Sequence, residues 1–288
     1  LEPIQQLLSA STEVRKGNLD THVSFESTDE IGSLAAAFDD MLIELRRKRR
    51  LEEAFGRYID PRIIPELMEG EDSRQPTRRI RTVFFSDLAR FSSLSENLTA
   101  ERLVDLLNQY LTLATEPIVR TRGMIDEFIG DAVKAFWGPP FVADEDQADL
   151  ACAAALEQFD QLEKLQRRLP EMLGIRKGLP QLAVRVGLAT GDSVTGTIGS
   201  PENRSFGLIG AIAEVAEQLE GLNKRYQTQI LMLEETRRRI RRPFVLREVD
   251  RLTFEASENG EVGIYELMGF SDEIDPEKAA LRDRLLDW

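Results

Sequence analysis

The sequence predicts an α+β protein, with a helical amino-terminal segment followed by a domain in which strands alternate with long helices. Three observations lead there. Apolar residues in the first fifty positions recur at spacings of three and four. From Ile80 onward, short strand-like apolar runs alternate with longer helical stretches. Two carboxylates, Asp87 and Asp131, each stand where an apolar run meets a turn. Hairpins mixed with long helices fit an α+β or α/β sandwich built on one sheet.

Bulk properties narrow the function classes. A chain of 288 residues, 42% hydrophobic and 31% charged, can hold one sizeable domain plus a smaller element, or two domains. A net charge of -14 argues against a nucleic-acid surface. The one cysteine, Cys152, falls in an apolar helical stretch and reads as a buried small residue. It permits no disulfide within the chain, which fits a reducing compartment. The one histidine, His22, rules out a histidine metal cluster or a His-dependent triad. No apolar run is long enough to span a bilayer, and no signal peptide is visible. The start at Leu1-Glu2-Pro3, without Met, is expected of a piece excised from a longer protein.

The first helix is expected from Pro3, through Ile4, Leu7, Leu8 and Val14, to a stop at Gly17. A polar connector covers 18–27. Ser27 and Glu30 have capping-box spacing ahead of a second helix, in which Ile31, Leu34, Phe38, Met41 and Leu45 trace a coiled-coil seam. The seam loses its apolar character at Arg46-Arg47-Lys48-Arg49-Arg50, read as a solvated face, with a membrane-surface role as the alternative, and as the place for a register shift. Residues 69–79 read as a linker. Strands are expected at 80–86, 124–129, 132–137, 182–190, 194–198, 229–233 and 262–268, and helices at about 99–120, 143–169 and 210–225. Gly130-Asp131 suits a tight hairpin turn, which would set Asp131 at a hairpin tip near the end of the 80–86 strand. Two carboxylates held rigidly there can share Mg²⁺ ions that grip a triphosphate.

Several segments together resemble the class III nucleotide cyclase catalytic domain, the family of adenylate and guanylate cyclases. They are Thr82-Val83-Phe84-Phe85-Ser86-Asp87-Leu88, Ile125 through Val133, Val184-Arg185-Val186-Gly187-Leu188, Gly196 through Ser200, Leu219 through Lys224, and Tyr265-Glu266-Leu267. Residues 1–50 resemble a HAMP domain at Pro3, Gly17-Asn18-Leu19 and Asp29-Glu30-Ile31-Gly32. Phe55-Gly56-Arg57-Tyr58-Ile59 resembles the short transducer element that precedes such cyclases. The implied organisation is a HAMP domain at 1–52, a transducer and linker at 53–79, and a ferredoxin-like cyclase domain at 80–288. The resemblance implies a head-to-tail homodimer with sites at the subunit interface, using Mg²⁺ or Mn²⁺ on GTP or ATP. It also implies an output module on the cytoplasmic side of the cell membrane, downstream of a transmembrane sensor segment.

Residue by residue, the resemblance makes Asp87 and Asp131 the metal ligands, with the Leu88 carbonyl a further one. Backbone amides from Ala89, Arg90, Phe91 and Ser92 would contact phosphates. Glu127 stands where adenylate cyclases carry an adenine-reading lysine, and a carboxylate there resembles guanylate cyclases. Gly207 stands at the second base-reading position and has no side chain to read with. Glu214 and Gln218 occupy the places of the ribose-orienting asparagine and the transition-state arginine. Glu255 aligns with the phosphate-binding lysine, and Arg251 is a nearby basic residue able to substitute. A lost phosphoryl-stabilising arginine costs about 10³ to 10⁵ in rate. The expectation is therefore a module that keeps metal and nucleotide capacity with little or no turnover as a homodimer. The alternatives are an active guanylate or adenylate cyclase, the metal-supplying half of a site completed by a second cyclase-like subunit, and a purely structural role.

Overall fold

The computed structural model describes residues 2–16, 18–21, 29–55, 62, 76–89, 91, 98–173, 181–200, 204–254 and 260–271. The chain divides into two compact units, Leu1–Ser73 and Arg74–Trp288. None of the described helices is long and apolar enough to cross a membrane.

In the first unit, helix α1 is Glu2–Arg15 and helix α2 is Glu30–Phe55. They meet through Ala10 and Ala35, flanked by Leu7 and Phe38. The cap of α2 is Asp29, whose carboxylate accepts from the amides of Ile31 and Gly32. Ser27, expected to cap this helix, lies outside the described residues. The helix runs on through the basic stretch as far as Phe55. Arg46 is not simply solvated. Its guanidinium donates to the Leu19 carbonyl at 2.6 Å and the Thr21 carbonyl at 2.8 Å, tying the connector to α2.

The second unit is built on one eight-stranded sheet. Its strands are β1 (Thr77–Ala89), β2 (Met124–Ile129), β3 (Ala132–Trp137), β4 (Ala183–Gly199), β5 (Arg204–Ile209), β6 (Ile230–Leu233), β7 (Phe244–Leu252) and β8 (Val262–Phe270). The order is β2-β3-β1-β4-β6-β8-β7, with β5 paired to β4. The helices are α3 (Ala100–Arg120), α4 (Gln147–Leu173), α5 (Ala211–Tyr226) and the short α6 (Glu234–Arg239). The two strands expected at 182–190 and 194–198 are a single strand, because β4 pairs with β1 without a break from Ala183 to Thr195. The sequence reading missed β5, β7 and α6. In β7 only Val245 is buried, and four of its nine residues are charged, so it lacks the apolar run that marks the central strands.

Period-two alternation assigns the faces of the sheet. Phe84, Leu88, Val133, Ala135, Trp137, Val184, Val186 and Leu188 form one core with Leu106, Tyr110 and Ile118 of α3 and Ala151, Cys152, Leu165 and Leu169 of α4. Cys152 is buried and unpaired, as expected, and burial pushes its thiol pKa up. Val83, Phe85 and Asp87 point to the other face. There α5 lies against β4 at Gly187, where a Cβ would come within 1.9 Å of the Ala216 carbonyl oxygen and 2.6 Å of the Glu220 nitrogen. Asn223 fastens the same contact by donating to the Val186 carbonyl at 2.9 Å.

Gly187→Ala should therefore force α5 off the sheet, since the clash is with backbone and no rotamer relieves it. The expected cost is about 3 kcal/mol, the upper end for overpacking, read as a lower urea midpoint with an unchanged slope. Gly221→Ala, in the same helix with open space around the new methyl, should instead raise stability by about 0.5–1 kcal/mol.

Candidate functional site

The site begins where β1 ends. Strand β3 pairs with β1 so that Ser86 lies opposite Val133, and the β2–β3 hairpin turns at Gly130, whose φ of 65° suits a glycine. This register lays the hairpin tip beside the end of β1, as the sequence reading required. The Asp131 carboxylate comes within hydrogen-bonding reach of the Asp87 carboxylate and accepts from the Leu88 amide. Burial and the charge of Asp87 push the Asp131 pKa up from 3.8 to about 6. Leu88 anchors the spot by burying its side chain in the core.

Three residues that the sequence reading did not single out surround this pair. Arg185 stands opposite Asp87 in the β1–β4 register. Its guanidinium reaches Asp87 Oδ2 at 3.4 Å and Glu220 Oε1 of α5 at 2.7 Å. Glu220 is buried, and that burial raises its pKa against the lowering effect of Arg185. Beneath the sheet, Tyr110 is buried within range of both aspartates. Burial first, and then their negative charge, raise its pKa. Arg185 lies inside a matching segment, so its spacing from Asp87 was visible, but the pairing needed the strand register.

The described residues expected on the nucleotide side fall in four places. Ala89 closes β1, and Phe91 packs against the core. Arg90, Ser92 and Glu255 lie outside the described residues. Glu127 is on β2 next to a bulge between Ile125 and Glu127. The bulge aims Asp126 across to β5, where its carboxylate accepts from the Leu208 amide at 2.8 Å. Gly207 adjoins this contact, because a Cβ there would stand 3.0 Å from Asp126 Oδ1. Lys134 on β3 pairs with Asp126 at 2.8 Å and Glu127 at 3.0 Å. Burial raises the Asp126 pKa, with Lys134 opposing. Glu214 and Gln218 stand one turn apart on the exposed face of α5. Arg251 is engaged with Glu234 at 3.6 Å and Glu248 at 3.4 Å. It sits on the edge strand β7, four strands from β1.

The donor set fits a hard divalent cation. Two carboxylates in contact, one with its charged form disfavoured by burial and by the other's charge, form an under-compensated oxygen pair. Mg²⁺ and Mn²⁺ commonly use one or two carboxylates, completing their shell with water and phosphate.

A sheet flanked by helices on both faces, with two aspartates meeting at a hairpin tip, defines a nucleotide cyclase type of domain. The family profile of the adenylate and guanylate cyclase catalytic domain matches residues 74–269, and that of the HAMP domain matches residues 1–47. The chain belongs to the adenylate and guanylate cyclase catalytic domain family, with a HAMP domain before it. It is 28% identical over 277 residues to an adenylate cyclase of Anabaena cylindrica, covering 92% of this chain and 54% of that protein. It is 30% identical over 211 residues to adenylate cyclase 1 of Rhizobium meliloti, covering 73% of this chain and 31% of that protein. The chain thus spans about half, or less, of these relatives. Among solved structures, the adenylyl cyclase CyaB from P. aeruginosa matches at 27% identity and a TM-score of 0.61, covering 70% of this chain and 100% of that one. The guanylyl cyclase Cya2 matches at 26% and 0.59, covering 70% and 98%.

The raised Asp131 pKa has a definite sign. Its charged form is disfavoured in the metal-free fold, so it subtracts stability above about pH 6, and the penalty fades as pH falls from about 6 toward 3.8. In EDTA at about pH 7.5, Asp131→Asn should raise stability by ~1 kcal/mol, a figure discounted for solvent screening, and by less at about pH 5. Mn²⁺ should raise the melting temperature of the unaltered protein and not that of the variant. Calorimetric melts at the two pH values check both; a lower melting temperature for the variant in EDTA would contradict the assignment.

Proposed function

We propose that this chain is the nucleotide-dependent output module of a HAMP-linked receptor, a class III cyclase homologue that captures a metal–nucleoside triphosphate and turns it over weakly or not at all as a homodimer. The observation that carries the reading is the contact of Asp87 with Asp131 beside Arg185. A bound Mg²⁺ or Mn²⁺ would supply positive charge to the triphosphate and favour loss of pyrophosphate. The chain's own part is to hold the two carboxylates against each other, with Arg185 paired to Asp87 beside them. GTP or ATP is the ligand class.

A head-to-tail homodimer follows from the family, with the α5 of one protomer facing the carboxylates of the other. Glu214 and Gln218 are exposed on α5, as residues facing a partner would be. Neither can neutralise charge on a reacting phosphate, and Glu214 adds repulsion. In the HAMP unit, Leu34 and Met41 of the expected seam are 55% and 45% exposed in the single chain, which supports a second helix pair covering them. The HAMP domain supports an upstream transmembrane sensor, with this module on the cytoplasmic side. A second reading, the metal-supplying half of a heterodimer, is favoured by the same asymmetry. The carboxylate side is complete, and the α5 side lacks its cation.

The purified chain should bind a fluorescent triphosphate in a Mn²⁺-dependent way, and Asp87→Ala should abolish that binding. Cyclic nucleotide should stay near background. Glu214→Asn with Gln218→Arg should raise turnover by at least about 10²-fold, below the 10³ to 10⁵ ascribed to a phosphoryl-stabilising arginine. Robust turnover by the unaltered homodimer would defeat the weak-turnover reading. Activity only on mixing with a second cyclase-like subunit, lost on Asp87→Ala, would select the heterodimer.

A further inference from the structure

Lys134 is a charged residue that neither the metal site nor α5 accounts for. It lies directly opposite Glu127 in the β2–β3 register, with its side chain only 14% exposed. A lysine so deeply placed must be paired, and Asp126, with its side chain 5% exposed, is sufficient for that. Yet the same ammonium also takes Glu127, whose side chain is 52% exposed. An ammonium has three N–H donors. Two are committed to Asp126 and Glu127, and one is left. On the facing strand, the Asp126 carboxylate crowds the place a side chain at position 207 would take, so β5 contributes no reading group there.

We propose that Lys134 is a specificity-determining residue that pins the Glu127 carboxylate and makes the pair select guanine over adenine nucleotides. The inference rests on the nucleotide-binding reading above. The pairing edge of guanine carries one acceptor, O6, followed by two donors, N1–H and N2–H. The remaining N–H of Lys134 meets O6, while the Glu127 carboxylate accepts from N1–H and N2–H. Adenine reverses the order, with a donor at N6 and an acceptor at N1. Against the pinned pair, its amino group faces the ammonium and its N1 lone pair faces the carboxylate. A freely rotating glutamate would turn to accept from N6 and tolerate both bases. Discrimination therefore depends on Lys134 as well as on Glu127.

The test is the ratio of dissociation constants for fluorescent GTP and ATP analogues, measured on the whole chain with Mn²⁺. Unaltered protein should favour the GTP analogue by about 10- to 50-fold, the range of one or two charge-assisted hydrogen bonds at a half-exposed site. Lys134→Met alone strands the buried Asp126, so the informative variant is Lys134→Met with Asp126→Asn, which removes both charges and leaves an amide oxygen for Leu208. At an unchanged melting temperature its ratio should fall to within about threefold, mainly through weaker GTP binding. Lys134→Arg should restore a preference. A GTP preference surviving in the double variant overturns the role of Lys134. Equal binding, or an ATP preference, in the unaltered protein overturns the guanine assignment. Absence of metal-dependent binding of either analogue overturns the nucleotide reading itself, and this inference with it.

Discussion

Everything at the site depends on two like charges being held in contact. Asp87 and Asp131 carry like charges that repel, yet the fold presses them together. The long β1–β4 ladder fixes Asp87, and the β1–β3 register delivers the hairpin tip to it. Part of the repulsion is offset by the Leu88 amide and by Arg185, and the rest is taken up by Asp131 holding its proton more tightly. A pair in that condition gains most from a cation. It gains less from a lysine or arginine, because Arg185 is already shared with Glu220. The fold thus stores an electrostatic demand that a bound cation would satisfy.

Helix α5 shows how the chemistry can change while the fold does not. Its inner face is fully constrained. Ala216 and Glu220 seat on Gly187, Asn223 bonds β4, and Glu220 holds the arginine that steadies Asp87. Its outer face carries Glu214 and Gln218, which are exposed and take no part in these contacts. Substitutions on such a face usually change stability by less than about 0.5 kcal/mol. A charged residue on that face can therefore be lost with no penalty in folding, whereas an altered Glu220 would disturb both packing and the Asp87–Asp131 pair.

The same division explains what could be read from the sequence. Buried strands and amphipathic helices announced themselves by period, and the hairpin at Gly130 by its turn residues, so the sheet, α3, α4, α5 and the Asp87–Asp131 juxtaposition were all legible. Strand β7 was not, because only one of its nine residues is buried and it lacks an apolar run. Arg185 and Lys134 were visible as letters but not as partners, since their roles depend on cross-strand register. Asp126 was the least legible of all, because its reach to Leu208 depends on a bulge that one-dimensional alternation cannot show.

A single hairpin carries residues of both proposed sites. Glu127 lies on β2 and Asp131 at the tip, with Lys134 returning on β3. In a head-to-tail pair of subunits, the metal end of one hairpin and the base end of the other would serve the same nucleotide. A displacement of the hairpin would then disturb both sites at once, one through its carboxylates and the other through its base contacts. Such a geometry makes this element a natural point for a signal to act. The β1–β3 ladder and the buried Asp126–Lys134 pair, bonded across to β5, both hold the hairpin in place.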